Sequence, residues 1–341
     1  MIARRSMGHS GLQVSALALG AMTFATTGPY ADIAASETDR ASLIDLALEH
    51  SIDTFDSANV YGAGDSEIQL GKLLGARRHA VVISTKIRFA SEAVQDKRPS
   101  FGSAGLSRQA ILHGVEASLI RLGTDYIDLL HLHMQDRSVP IDETLRALDD
   151  LVTQGKVRYL GVSNFMAYRL VEALWRAEAL QTVPIVSLQL PWSLLNRDVE
   201  RELIPAARHF QLGVMVYSPL ARGFLSGKYA RTAPPPEDSR LARWREEWHA
   251  CDQARSWGIV DALEGIARRR EEPVAAVALA WVLARRPVAS VILGARTPAQ
   301  LRENLRAARL FLDAEELAEL NRLSEPEWGY PCDFIKRFEA W

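Results

Sequence analysis

Eight short apolar segments punctuate the chain, at 16–19, 52–55, 80–84, 127–132, 157–162, 186–190, 213–217 and 290–293. Within them the apolar character runs on without the alternation of a half-exposed sheet, the pattern of strands covered on both faces. Between them apolar positions recur every three to four residues. Leu43, Ile44, Ala47 and Leu48 share one face of a helix over 42–50, and Ile111, Val115 and Leu119 share one over 107–122, stopped by Gly123. Further helical faces follow at Leu145, Leu148 and Val152, at Leu170, Val171 and Leu174, at Leu203, Ile204 and Ala207, and, after the last strand, at Leu301, Leu305 and Ala308. Strand and helix alternating at roughly 30 residues predict an α/β fold, a closed (β/α)8 TIM barrel in preference to an open doubly wound sheet, as a single domain over 1–341.

Two features depart from the repeat. Short segments at 3–7 and 12–15 flank Gly8-His9-Ser10-Gly11 and predict an N-terminal β-hairpin that plugs one barrel end. Between Tyr217 and Ser290 the spacing more than doubles, over Pro234-Pro235-Pro236, Trp244, Trp248 and two more helical patterns. An insertion after strand seven lies on the face where barrels carry their chemistry, which gives these extra helices a functional reading.

Composition narrows the function classes. The chain has 341 residues, 48% hydrophobic and 24% charged, with a formal net charge of −2. That balance offers no electrostatic case for nucleic acid or an anionic membrane. Cys251 and Cys332 match neither a disulfide framework nor a metal motif, and no apolar run suits a signal peptide or a membrane span. The reading is a cytoplasmic protein in a reducing compartment.

Candidate residues are collected by their position on the barrel. Asp56 ends the second strand, Tyr61 lies in the loop after it, Lys86 ends the third strand and His133 the fourth, so all converge on one rim. Asp56 and Tyr61 also admit a plainer reading as a helix cap and its cover. Lys86 follows five apolar or small residues, which predicts a partly buried ammonium paired with Asp56 instead of a surface cation. His131 and His133 share a strand face, which admits metal ligation. No third ligand falls at a suggestive spacing, so no metal is expected, with His131 packed inside and His133 at the rim.

No Gly-x-Gly-x-x-Gly follows a strand, so a Rossmann site is not indicated. Instead strand eight ends in Gly294-Ala295-Arg296, and Thr297-Pro298 reads as a helix cap with proline in the first turn, an anion site. Arg296 and Gln300 face it, and Lys228 and Arg240 are placed to close over the same phosphates. So many cations favour a ribose 2′-phosphate and hence NADPH over NADH.

Asp56, Tyr61, Lys86 and His133, with Gly11-Leu12-Gln13-Val14-Ser15, the run from Arg121 to Leu129, the run from Gly155 to Phe165 and Tyr217-Ser218-Pro219-Leu220, resemble the aldo-keto reductase superfamily over nearly the whole chain. Gly223-Phe224-Leu225-Ser226-Gly227-Lys228-Tyr229 and the run from Ile292 to Thr297 look closest to its bacterial branch that resembles potassium-channel beta subunits. Ser57, Trp192 and Leu130 depart from the residues common there. The resemblance implies NADPH-dependent reduction of a small aldehyde or ketone, with Tyr61 as general acid eased by Lys86, itself held by Asp56, and with His133 at the carbonyl oxygen. It further implies that Ser163, Asn164 and Gln189 hold the carboxamide and Tyr217 stacks on the ring. Ser218, Pro219, Leu220, Gly223 and Gly294 complete the cofactor's walls, and Glu303 and Asn304 meet the adenine.

The substrate end is expected to be lined by Phe24, Trp192, the loop 88–105, and the aromatic tail 326–334 with Trp328. Three other readings stay open: a cofactor-binding regulatory or redox-sensing subunit with slow turnover, a Schiff-base aldolase using Lys86, and a metal-dependent hydrolase around His131 and His133.

Overall fold

The apolar segments pair in chain order, as their continuous burial requires. The computed structural model describes residues 2–91 and 104–339. An antiparallel hairpin, β1 (Arg4–Ser6) and β2 (Gln13–Ser15), comes first. Eight parallel strands follow: β3 (Leu17–Gly20), β4 (Thr54–Asp56), β5 (Val82–Ile87), β6 (Ile127–Leu132), β7 (Val157–Ser163), β8 (Ile185–Pro191), β9 (Gly213–Tyr217) and β10 (Val288–Leu293). β10 pairs with β3 and closes the (β/α)8 barrel. β4 and β5 begin two residues later than their apolar runs. The Ile52 amide donates to Ala47 O to end a helix, and Gly75–Ala80 forms a 3-10 turn.

Helices α1 (Glu37–Glu49), α2 (Asp65–Leu74), α3 (Arg108–Leu122), α4 (Ile141–Thr153), α5 (Ala167–Leu180) and α6 (Leu203–His209) cover the strands in turn. The long gap after β9 holds α7 (Arg240–Arg243), α8 (Arg245–Cys251) and α9 (Ala254–Arg270) before the apolar α10 (Val274–Leu283). Ring contacts among Phe224, Tyr229, Trp248 and Trp257 hold that insertion to the barrel. α11 (Pro298–Leu305), α12 (Ala314–Leu323) and α13 (Cys332–Ile335) complete the chain. Among the described residues no helix is long and apolar enough to cross a membrane.

The side-chain alternation of each strand produces two cores. The larger lies between strands and helices. The smaller fills the barrel's amino-terminal end, where hairpin residues Met7, Leu12 and Val14 pack against Ala18, Val82, Leu129 and Met215. The plug predicted from the sequence is therefore apolar filling for a barrel that becomes polar further up. Val82, Ser84 and Lys86 follow one another along β5, and Leu129, His131 and then His133 along β6. Buried His131 sits between Ser84 Oγ at 3.1 Å and Ser187 Oγ at 3.0 Å. Gly161 makes room for it, since a Cβ there would lie 2.4 Å from the ring.

Candidate active site

At the carboxyl ends of the strands a cavity of about 770 Å³ opens, with Asp56, Tyr61 and His133 in its wall and Lys86 directly beneath. Lys86, 1% exposed, donates from Nζ to Asp56 Oδ2 and Ser57 O, both at 2.6 Å. Asp56 Oδ1 accepts from Ser84 Oγ at 2.8 Å and from Gln189 Nε2 at 2.9 Å. The carboxylate is thereby saturated and fixed, and the ammonium turns its remaining bond toward the Tyr61 phenol, whose ring centroid is 5.1 Å away. The Tyr61 ring meets His133 edge-on at 5.9 Å and Tyr30 at 5.7 Å.

Burial pushes the Tyr61 phenol above its usual value, outweighing the opposing pull of Lys86. Lys86 does pull toward the phenolate as expected, but burial outweighs it, and the resting group is a phenol, the form that has a proton to give. Lys86, although burial works against its charge, is raised by Asp56 and Tyr61 and stays an ammonium. His133 is lowered to about 3 by burial and then by Lys86 and Arg88, so it is a neutral imidazole at physiological pH. His131 is also lowered well below the usual imidazole value, by burial first and then by Lys86 and His133.

A second group of polar side chains lies beside the first. Asn164, at φ 53°, donates from Nδ2 to His133 O at 2.9 Å and accepts from the Tyr217 hydroxyl at 2.8 Å. Just after β9, Ser218, Ala221 and Arg222 all have φ between 47° and 58°, backbone strain of order 1–3 kcal/mol each that sites tend to hold. Ser163, Gln189, Tyr217, Ser218, Pro219, Leu220, Gly223, Lys228, Arg240, Gly294, Arg296, Gln300, Glu303 and Asn304 all line the same cavity with Asn164.

The far end is short of negative charge. Lys228 is lowered by burial, then by Arg296 and Arg240, and Arg240 by burial and then Arg296. The carboxylate that answers them, Asp238, is 84% exposed and lies 3.9 Å from Arg296. Beside this cluster α11 begins with Thr297 as cap, its Oγ1 accepting from the Gln300 amide. Mutually repelling cations at a helix amino terminus fit a phosphate-bearing group. The donor set thus suits a dinucleotide with its polar ring near Asn164 and its phosphates near Arg296.

Three residues assigned to the substrate end lie elsewhere. Phe24, in the 3-10 turn Ala21–Phe24, points into the main core while its neighbours Met22 and Thr23 line the cavity. Trp192 is 1% exposed, donates to Glu200 Oε1 at 2.9 Å and packs edge-on against Trp281. Trp328 donates to Glu325 and lies under the Lys336 ammonium. The tail is tied to the barrel's flank by Arg201 to Glu327 O and by Arg255 to Ser324 O and Glu325 O. Of the loop 88–105, residues 92–103 lie outside the described residues. Phe89, in the part of that loop that is described, does line the cavity as expected, and Met22, Tyr30 and Val60 join it in the wall. Tyr30 sits in the segment leaving the carboxyl end of β3, so the positional rule that found Tyr61 would have found it too.

The model of the aldo/keto reductase family matches residues 16–325 of the chain. It is 37% identical over 325 residues to a protein of Bacillus subtilis (strain 168) named uncharacterized oxidoreductase YrpG, covering 92% of this chain and 94% of that one. It is 36% identical over 315 residues to a protein of Glycine max named probable aldo-keto reductase 1, covering 92% and 86%.

Proposed function

Since the chain belongs to the aldo/keto reductase family and is an oxidoreductase, we propose that it reduces aldehydes or ketones to alcohols with NADPH, Tyr61 acting as general acid. The observation that carries this reading is a protonated phenol in a cavity wall, backed by a buried Lys86–Asp56 pair that ends on it. A bound reduced nicotinamide supplies the hydride that the carbonyl carbon accepts. The oxygen gains negative charge as that happens, and Tyr61 delivers its proton there. Lys86 stabilises the phenolate left behind, and Asp56, pinned by Ser84 and Gln189, keeps the ammonium in place. His133, neutral, offers an N–H to the same oxygen and orients it. Ser163, Asn164 and Gln189 serve the carboxamide, Tyr217 the ring face, and Glu303 and Asn304 the adenine.

Lys228, Arg240 and Arg296 supply the cationic end, and their mutual crowding supports a 2′-phosphate in addition to the pyrophosphate. Met22, Tyr30, Val60 and Phe89 favour a carbonyl compound with an apolar or aromatic body. The test is NADPH consumption against a panel of aldehydes and ketones. Turnover with several members, faster with NADPH than with NADH, is the expected result. Tight NADPH binding without turnover across the panel would replace the enzyme with a cofactor-binding subunit.

A further inference from the structure

At the other end of the barrel an open hollow of about 700 Å³ is bordered by the hairpin turn, the segment after α6 and the connection from α10 to β10. Its depth comes from a close backbone contact: a Cβ on Gly8 would lie 2.4 Å from Gln211 O, and one on Gly213 2.5 Å from Gly8 N. With the His9 amide donating to Gln211 O at 2.9 Å, the hairpin is locked against the start of β9 and forms a rigid wall.

The lining is one-sided in charge. It contains Arg5, Arg208, Arg285, Arg286 and His9 and no carboxylate. Other buried or half-buried arginines of this barrel meet acids: Arg78 meets Asp128, Arg121 meets Glu67 and Arg197 meets Glu200. Among the described residues none of these four forms an ion pair. Arg5 donates to Leu283 O and Val288 O, and Arg208 to Arg286 O, which are neutral dipoles. The carboxyl end of α10 explains one cation here through its dipole, not four. Arg286 is exposed, and among the described residues its side chain makes no hydrogen bond.

We propose that this hollow is a binding site for a compact, multiply charged oxyanion of the diphosphate or polycarboxylate class, held by the guanidinium forks of Arg5, Arg208 and Arg286. A fork of parallel N–H groups matches two oxygens of a phosphate or carboxylate, which an ammonium would not. The volume is that of a small-molecule pocket and exceeds what a water or halide needs. Arg285 donates to Asn321 Oδ1 and lies over the Trp281 ring, so it is left out of the ligand set. The site shares no residue with the catalytic cavity, so its ligand and the cofactor bind side by side.

The experiment is calorimetric titration of inorganic pyrophosphate, and separately citrate, into protein saturated with NADP+ so that the catalytic cavity's cations are occupied. Saturable binding of at least one is expected, and which binds tighter tells phosphate from polycarboxylate. Arg208→Glu with Arg286→Glu should weaken it at least about tenfold, as reversing two charges at a paired anion does, with NADP+ affinity unchanged. Arg286→Gln, which removes a fork engaged in no hydrogen bond of the fold, should weaken it about threefold or more and decides the matter if the double variant does not fold. No saturable heat from either anion, or equal affinity in wild type and Arg286→Gln, would overturn the proposal.

Discussion

Two buried ion pairs link neighbouring elements at opposite ends of this barrel, and their difference separates a structural charge from a chemical one. Lys86–Asp56 at the carboxyl end and Arg78–Asp128 at the amino end are both close, at 2.6 and 2.8 Å, and both largely shielded from solvent. Besides Asp128, Arg78 donates to Thr124 Oγ1, Val81 O and Tyr126 O, all structural acceptors, and its face lies over the Tyr126 ring. Asp128 in turn accepts from the Ile83 amide. That pair is a closed circuit between the turn before β5 and the start of β6. Lys86 has an open one, because the acid beside it is fully hydrogen-bonded while its last contact is a phenol facing a cavity. Burial and charge mark both sites. Only the contact with a phenol that faces a cavity marks the one that acts.

The largest effect that sharpens this contrast is at Tyr61. Tyr61→Phe removes only the hydroxyl, and turnover should fall by about 10²- to 10⁴-fold, the usual worth of a placed general acid, while NADPH binding by fluorescence titration stays as it was. Retained turnover would move the proton donor elsewhere.

The pairs themselves come next. Lys86→Met and Arg78→Met each strand a buried carboxylate and should each lower the unfolding free energy by about 3–5 kcal/mol, read from denaturant titration. Turnover of the folded enzyme should drop only for Lys86→Met. Equal kinetic losses in both would erase the distinction between the two ends.

A smaller effect is expected at the cationic end of the cavity. Arg296→Glu should weaken NADPH about ten- to hundredfold more than NADH, the range of one hydrogen bond to a charged group turned repulsive. Arg302→Glu, on the exposed face of the same helix, is the control and should change neither. Parallel losses for both cofactors would assign Arg296 to the pyrophosphate or the fold.

The smallest effect is in acid. His133 titrates near 3 in the native protein against about 6.5 unfolded, so between those values the unfolded chain binds the extra proton. Stability should therefore fall as pH drops from about 6.5 toward 3, by at most about 1.4 kcal/mol per pH unit from this group. His131, also lowered, acts in the same direction. His133→Gln should flatten the slope of unfolding free energy against pH by up to that amount, and an unchanged slope would show that His133 is not held neutral.

The sequence by itself determined the barrel and the location of its chemistry. Continuous apolar runs report strands covered on both sides, and a side chain at a strand's carboxyl end has its direction set by a period of two, so Asp56, Lys86 and His133 were placed by position alone. Of the residues named for the cofactor, Ser163, Gln189 and Tyr217 lie at the carboxyl ends of β7, β8 and β9, and they line the same cavity. Tertiary structure decided what no period governs. Phe24 sits in a 3-10 turn and Trp192 and Trp328 follow irregular chain, where the direction of a side chain depends on which partner reaches it, here the main core, Glu200 with Trp281, and Glu325 with Lys336. The state of Tyr61 was equally beyond the sequence. Its neighbours name a lysine that would release the proton, but the balance is set by how much apolar wall surrounds the ring, and Tyr30 reaches it from 31 positions upstream, a sum over distant segments that exists only once the chain has closed.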